Sequence, residues 1–200
     1  DTEAGSTATV VIQADDLPTN VGGITMADGS FVDAWGGALT VLAADDIAVS
    51  LLRSSATVRI TSSGGAITDA DAGSGQDIDR GGSVALRAVT GIGSDADGLE
   101  TTLGTLAAVT ESGDIVLTNT GALIIGTVNG LSGVTITDAN TNDTGNDNIT
   151  IVANSPLTVN QLVIDNDGGN IVLTSQGNAT TDDLTLDPDV TATGGHGNIT

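Results

Sequence analysis

Oxygen donors dominate what this chain offers to chemistry. Five Asp-x-Asp pairs occur, at Asp69/Asp71, Asp77/Asp79, Asp95/Asp97, Asp165/Asp167 and Asp187/Asp189. Alternating carboxylates on a tight turn bring several hard oxygen ligands to one point, which is what Ca²⁺ requires. The densest run is Asp138-Ala139-Asn140-Thr141-Asn142-Asp143, with Asp147 just beyond, and it alternates like the first half of a calcium loop. Asp138, Asn140, Asn142, Asp143 and Asp147 are therefore the first candidate Ca²⁺ ligands, and Asp165 with Asp167 the second. Against them, the position for a bidentate Glu is taken by Ile149, and the Gly-Gly-x-Gly-x-Asp nonapeptide of calcium-binding β-rolls is absent. For any single pair a solvated turn is the simpler reading, because Asp favours turns.

Catalytic constellations are poorer. His196 is the sole histidine, set between Gly195 and Gly197, and there is no cysteine, so a triad or a zinc site lacks its partners. A glycosidase needs only two carboxylates, but 26 acidic residues leave spacing with nothing to select. We expect no enzyme. Thr-x-Thr pairs such as Thr118/Thr120 and Thr135/Thr137 resemble ice-binding faces, but β-branched residues also fill exposed strand positions by ordinary preference. Asn142, Asn148, Asn178 and Asn198 each begin an Asn-x-Thr sequon, relevant only where the source glycosylates them.

The elements that must carry these turns are short strands. Ala8 to Ile12, Gly37 to Leu42, Ile47 to Leu52, Ala56 to Thr61, Ser83 to Val89, Ile115 to Thr118 and Ile171 to Thr174 are β-like runs bounded by Gly, Asn or Asp. Asp69 to Gly82 reads as a loop. Thr101 to Thr110 has Leu103, Leu106 and Ala107 at helical spacing, yet Gly104 and its threonines argue for strand. The pattern predicts an all-β chain.

Composition narrows the architecture. Of 200 residues, 38% are hydrophobic, but there is one Trp, one Phe and no Tyr. A core without rings must come from Val, Ile, Leu and Ala, which suits stacked repeats whose layers need only match their neighbours. A glycine-plus-strand opening recurs at Gly37, Gly65, Gly82, Gly113, Gly169 and Gly197, and a weaker copy starts at Asn146. These openings suggest a unit in the high twenties with two or three strands, and coils of about 20–34 residues. We expect a parallel β-helix, that is, a β-solenoid of about seven coils. The rival is a pair of tandem Ig-like β-sandwiches, for which Asp28-Gly29, Asp97-Gly98, Asn129-Gly130 and Asp167-Gly168 would be hairpin turns. Residues 1–200 are read as one solenoid segment of a longer repetitive chain, with weaker repeats over 1–63 and clearer ones over 64–200.

Formal net charge is −22, from four Arg, no Lys and 26 acidic residues. Phosphate backbones need clustered cations, so nucleic acid is excluded as a partner class. No apolar run approaches the 18 residues or more of a membrane span. Such acidity fits a soluble extracellular surface, a cation-binding surface or a high-salt habitat.

The strings Gly113-Asp114-Ile115-Val116-Leu117-Thr118, Gly169-Asn170-Ile171-Val172-Leu173-Thr174 and Thr120-Gly121-Ala122-Leu123-Ile124-Ile125-Gly126 resemble phrases of very large repetitive bacterial surface proteins of the filamentous haemagglutinin type. That resemblance implies a secreted, surface-attached or matrix-forming β-helical rod, and it brings no catalytic residues. The expected function is a non-enzymatic rod, stalk or filament segment at the cell surface, with self-assembly or further repeats as partner and matrix or host-cell glycans at any adhesive surface. Divalent cations such as Ca²⁺ would be recruited by the acidic coat. The alternative is a carbohydrate-binding or carbohydrate-active β-helix, for which only Trp35 and Phe31 offer an aromatic platform.

Overall fold

The computed structural model describes residues 8–14, 21–71, 73, 75–80, 82–137, 146–177, 179–193 and 198–200. Among them there is no helix. The chain is a parallel β-helix wound as two faces around one aliphatic core. Coil one carries β1 (Val10–Ala14), β2 (Ile24–Thr25) and β3 (Phe31–Asp33), coil two β4 (Leu39–Ala43), β5 (Ile47–Val49) and β6 (Leu51–Arg53). Coil three has β7 (Thr57–Ser62), β8 (Ile67–Asp69) and β9 (Ile78–Asp79), coil four β10 (Ser83–Arg87) and β11 (Leu99–Thr101), coil five β12 (Thr105–Thr110) and β13 (Ile115–Asn119). Coil six has β14 (Leu123–Ile125), β15 (Thr127–Val128), β16 (Leu131–Ser132), β17 (Val134–Ile136) and β18 (Ile149–Ala153). Coil seven has β19 (Leu157–Val159), β20 (Val163–Asp165) and β21 (Ile171–Ser175), and coil eight β22 (Leu184–Leu186) and β23 (Val190–Ala192). Every pairing between coils is parallel, which excludes the tandem antiparallel sandwiches.

The strongest ladder is made of one residue type. Ile24, Ile47, Ile67, Ile92, Ile115, Ile149, Ile171 and Ile199 stack coil upon coil, and the six interior members are fully buried. On the other face Leu39, Val58, Val84, Leu106, Ile125 and Val159 form a second buried column. Identical or similar branched side chains one strand spacing apart fill the interior at close density, so no ring is needed.

Every coil but the fifth breaks its strand on one face, and the break changes face along the rod. In coils one to four the second face is split, as β2/β3, β5/β6, β8/β9 and Ile92/β11, whereas β13, β18 and β21 are continuous. Over coils six to eight the first face is split instead, as β14/β17, β19/β20 and β22/β23. Coil five is unbroken on both faces. Inserted residues at the breaks let stacked partners lie 19 positions apart (Leu39 to Val58) or 34 (Ile125 to Val159) without disturbing the ladders.

One local expectation changes. Asp69 to Gly82 is not all loop, because β9 lies within it, held between Leu52 of β6 and Thr101 of β11. Gly113 to Thr137 spans parts of two coils. It ends coil five with β13 and begins coil six, where β14 and β17 share a sheet. Thr105–Thr110 is strand, and Leu106 and Ala107 point to opposite sides of it: Leu106 enters the core, while Ala107 is buried from outside.

That cover is a β-hairpin, β15–β16, looped out between Ile125 and Val134 and closed by a Gly133 N–H bond of 2.9 Å to the Gly126 carbonyl. Its turn is Asn129-Gly130, with φ of 51° and 78°, the backbone twist that joins antiparallel strands most readily. Val128 and Leu131 fold back onto Ala85 and Ala107.

The repeated phrase now has a cause. The Asp114 side chain accepts from the Asn148 N–H (2.6 Å), Asn148 Oδ1 from the Asn170 N–H (2.9 Å), and Asn170 Oδ1 from the Asn198 N–H (3.2 Å), so each coil's oxygen binds the next coil's backbone. Just before this position, Gly113 (φ 77°) and Gly169 sit so close to the neighbouring coil that a Cβ would fall on a carbonyl oxygen, that of Thr90 or Asp147. Gly169→Ala is expected to cost about 1–3 kcal/mol, as overpacking does. A urea melt would show the midpoint falling with little change of slope, and an unchanged midpoint would contradict the close approach.

Candidate cation-binding corners

Where β8 breaks from β9, the chain places carboxylates against one another. Asp69 ends β8, Asp71 follows it, Asp77 precedes β9, and Glu100 lies on β11 in the next coil. Oxygen atoms of Asp69, Asp71 and Asp77 all lie within 4.8 Å of each other. Register makes this compact: Leu52 donates to the Asp77 carbonyl (2.7 Å), Asp77 N–H to the Glu100 carbonyl (2.8 Å), and Glu100 N–H to Asp77 Oδ2 (2.8 Å). Asp69 Oδ1 accepts from the Asp71 N–H at 2.7 Å. Asp77 is completely buried. Three further oxygens, Asp69 Oδ2, Asp77 Oδ1 and Glu100 Oε2, are shielded from solvent and have no hydrogen-bond partner.

Burial of carboxyls beside one another has the expected electrical result. The Asp77 carboxyl is pushed up to about 9, chiefly by burial, against the lowering effect of the Glu100 N–H and with the help of the Asp69 and Glu100 charges. Asp69 and Glu100 are raised for the same first reason. Among the described residues the ion pairs are Arg53 with Asp79 (3.6 Å) and Arg80 with Asp33 (2.8 Å), so no arginine pairs with this corner. It can hold a proton between carboxyls or a hard cation among them.

A second corner gathers two of the sequence candidates. Asp165 Oδ1 accepts from the Asp167 N–H (2.8 Å), Asp167 Oδ2 from the Asp147 N–H (2.8 Å), and Asp147 Oδ2 from the Gly113 N–H (2.6 Å). Asp165 occupies an inward ladder position between Ile136 and Ala192, is fully buried and is raised mainly by burial. Asp147 and the Asp165/Asp167 pair, separate in the sequence reading, thus meet. Asp138, Asn140, Asn142 and Asp143 lie outside the described residues. Sequence reasoning saw Asp69/Asp71 and Asp77/Asp79 as turn pairs and missed Glu100 altogether. Only the register of β9 on β11 brings it in, and no spacing encodes that.

Two other features complete the chemistry. Arg59 and Arg87, on neighbouring strands of the first face, line a cleft of about 150 Å³ under the Asn129-Gly130 tip, with Thr61 and Leu131. Phe31 and Trp35 each carry a guanidinium over the ring, Arg53 at 5.6 Å and Arg80 at 4.6 Å from the centroids. The rings that a sugar platform would need are therefore engaged by arginines.

Comparison with known proteins returns no match, whether to family models, to curated proteins or to solved structures.

Proposed function

We propose that this chain is a non-enzymatic structural segment of an extracellular surface protein, a rod that serves as stalk, adhesin shaft or filament subunit. What supports the reading is the stack itself: parallel ladders run from coil to coil around one aliphatic core along the described chain. Leu184, Leu186 and Ile199 continue the inward ladders of Leu157, Val159 and Ile171 and are 40%, 49% and 52% exposed, so self-association of rods would engage them. Ladder hydrogen bonds and stacked aliphatics give the rod stiffness, while the acidic coat keeps rods from clumping and recruits divalent cations. Matrix or host-cell glycans remain the partners of any adhesive surface.

Sedimentation velocity tests the stacking surface. The chain is expected to associate end to end as concentration rises, and Leu186→Asp to hold it monomeric with its melting temperature nearly unchanged. Association that is equally strong in Leu186→Asp, or a monomer at every concentration, would overturn the assignment of this surface.

A further inference from the structure

We propose that Asp69, Asp71, Asp77 and Glu100 form a Ca²⁺ site that ties the third coil to the fourth at the break between β8 and β9. The site refines the cation-recruiting part of the function above and does not depend on whether rods stack end to end.

Acidic clusters are common on a chain of charge −22, and crowding alone would carry nothing. The second observation is the state of the oxygens. Asp77 is completely buried; its Oδ1 and Asp69 Oδ2 are shielded and without a hydrogen-bond partner within the Asp69/Asp71/Asp77 cluster, and Glu100 Oε2 on the next coil is shielded and without a partner as well. Buried polar atoms are nearly always satisfied, and an uncompensated buried carboxylate is among the costliest exceptions. Here three such atoms come from three residues on two coils. A single divalent cation satisfies all of them together and cancels the repulsion between them.

The donor set selects the ion. It is all oxygen, which disfavours the metals that seek nitrogen or sulfur. Carboxylates from an irregular segment that includes Gly73 and Gly75 suit the variable geometry of Ca²⁺ better than the strict octahedron of Mg²⁺. Glycine has a local reason there, since a Cβ at position 75 would lie 2.9 Å from Asp71 Oδ2. Backbone bonds Asp77–Glu100 and Leu52–Asp77 already fix the frame, so binding adds ligands to a preset corner.

The rival occupant is a proton shared by Asp69 and Asp77. Calorimetric titration of the whole chain with CaCl₂ after chelator treatment, at pH 8 and physiological salt, separates the two. One high-affinity Ca²⁺ per chain is expected, with Mg²⁺ much weaker, and Ca²⁺ at about 100 times its Kd should raise the melting temperature by ~5–10 °C. Glu100→Gln and Asp69→Asn, each checked for the native circular dichroism spectrum, should weaken that binding at least tenfold. Asp147→Asn, in the second corner, should leave it unchanged. Two variants guard against one failing to fold. No binding heat together with no thermal shift overturns the proposal in favour of the shared proton. Binding of full strength in both Glu100→Gln and Asp69→Asn also overturns it.

Discussion

Ile115→Asp is expected to abolish the cooperative melt of the chain. Ile115 is fully buried and stacks directly on Ile92 and Ile149, both fully buried themselves. Deleting such a side chain alone costs about 2–5 kcal/mol, and a carboxylate put in its place has no partner and no water. The sum rivals the ~5–15 kcal/mol that holds an ordinary domain together. Because each coil touches only the coils beside it, the damage should spread through the fourth to sixth coils before it reaches the ends. Ile199→Asp is the control. It changes the same residue type in the same ladder, but at 52% exposure, and should cost little. Amide exchange would show the difference: protection lost around Ile92, Ile115 and Ile149 in the first variant and retained there in the second. Equal effects of the two substitutions would mean that the ladder is not the core.

A second large effect concerns pH. Asp77 titrates at about 9 in the folded chain against 3.8 as a free side chain, so folding takes up a proton. Its contribution to stability is fully present below pH ~4 and is lost as pH rises through the folded value, at most about 1.4 kcal/mol per pH unit for one linked proton. Asp69 and Glu100, raised beside it, act in the same direction, with the Asp71 and Asp97 charges adding to the repulsion. Urea melts in chelator should therefore give a stability that falls from pH 5 to pH 9. General repulsion in so acidic a chain falls on the same side, so the variant decides. Asp77→Asn keeps an acceptor for the Glu100 N–H and removes the proton uptake, and its profile should be clearly flatter. A slope identical to that of the parent chain would place the titration elsewhere.

These effects rest on features of unequal visibility in the sequence. Strand content and the aliphatic core follow from alternation and composition, and Ile115, Leu117, Leu123, Ile125, Val134 and Ile136, at alternate positions of their strands, are all fully buried. The phase of the coils did not follow. Glycine marks any place where a corner closes on the neighbouring coil, so Gly37 and Gly82 precede strands of the first face, while Gly65, Gly113 and Gly169 precede strands of the second. A marker used on both faces gives scattered spacings. The Asn129-Gly130 hairpin has turn chemistry that fits a sandwich equally well, because a looped-out hairpin and a paired one look alike over six residues. The Glu100 side chain gave no signal at all, since it reaches its carboxylate neighbours only through pairing between coils.

One continuous stack is the claim on which the rest depends. Thr57, Ser83, Thr105, Ile124, Thr158 and Thr185 follow one another in register on the outside of the first face, one per coil. The chain has no cysteine, so spin labels introduced at Thr57→Cys and Thr185→Cys report on those two sites alone. Double electron–electron resonance should give a single backbone separation of about 24 Å, five strand spacings of 4.8 Å, after allowance for the label arms. A broad distribution, or a peak tens of ångströms longer, would contradict the stack.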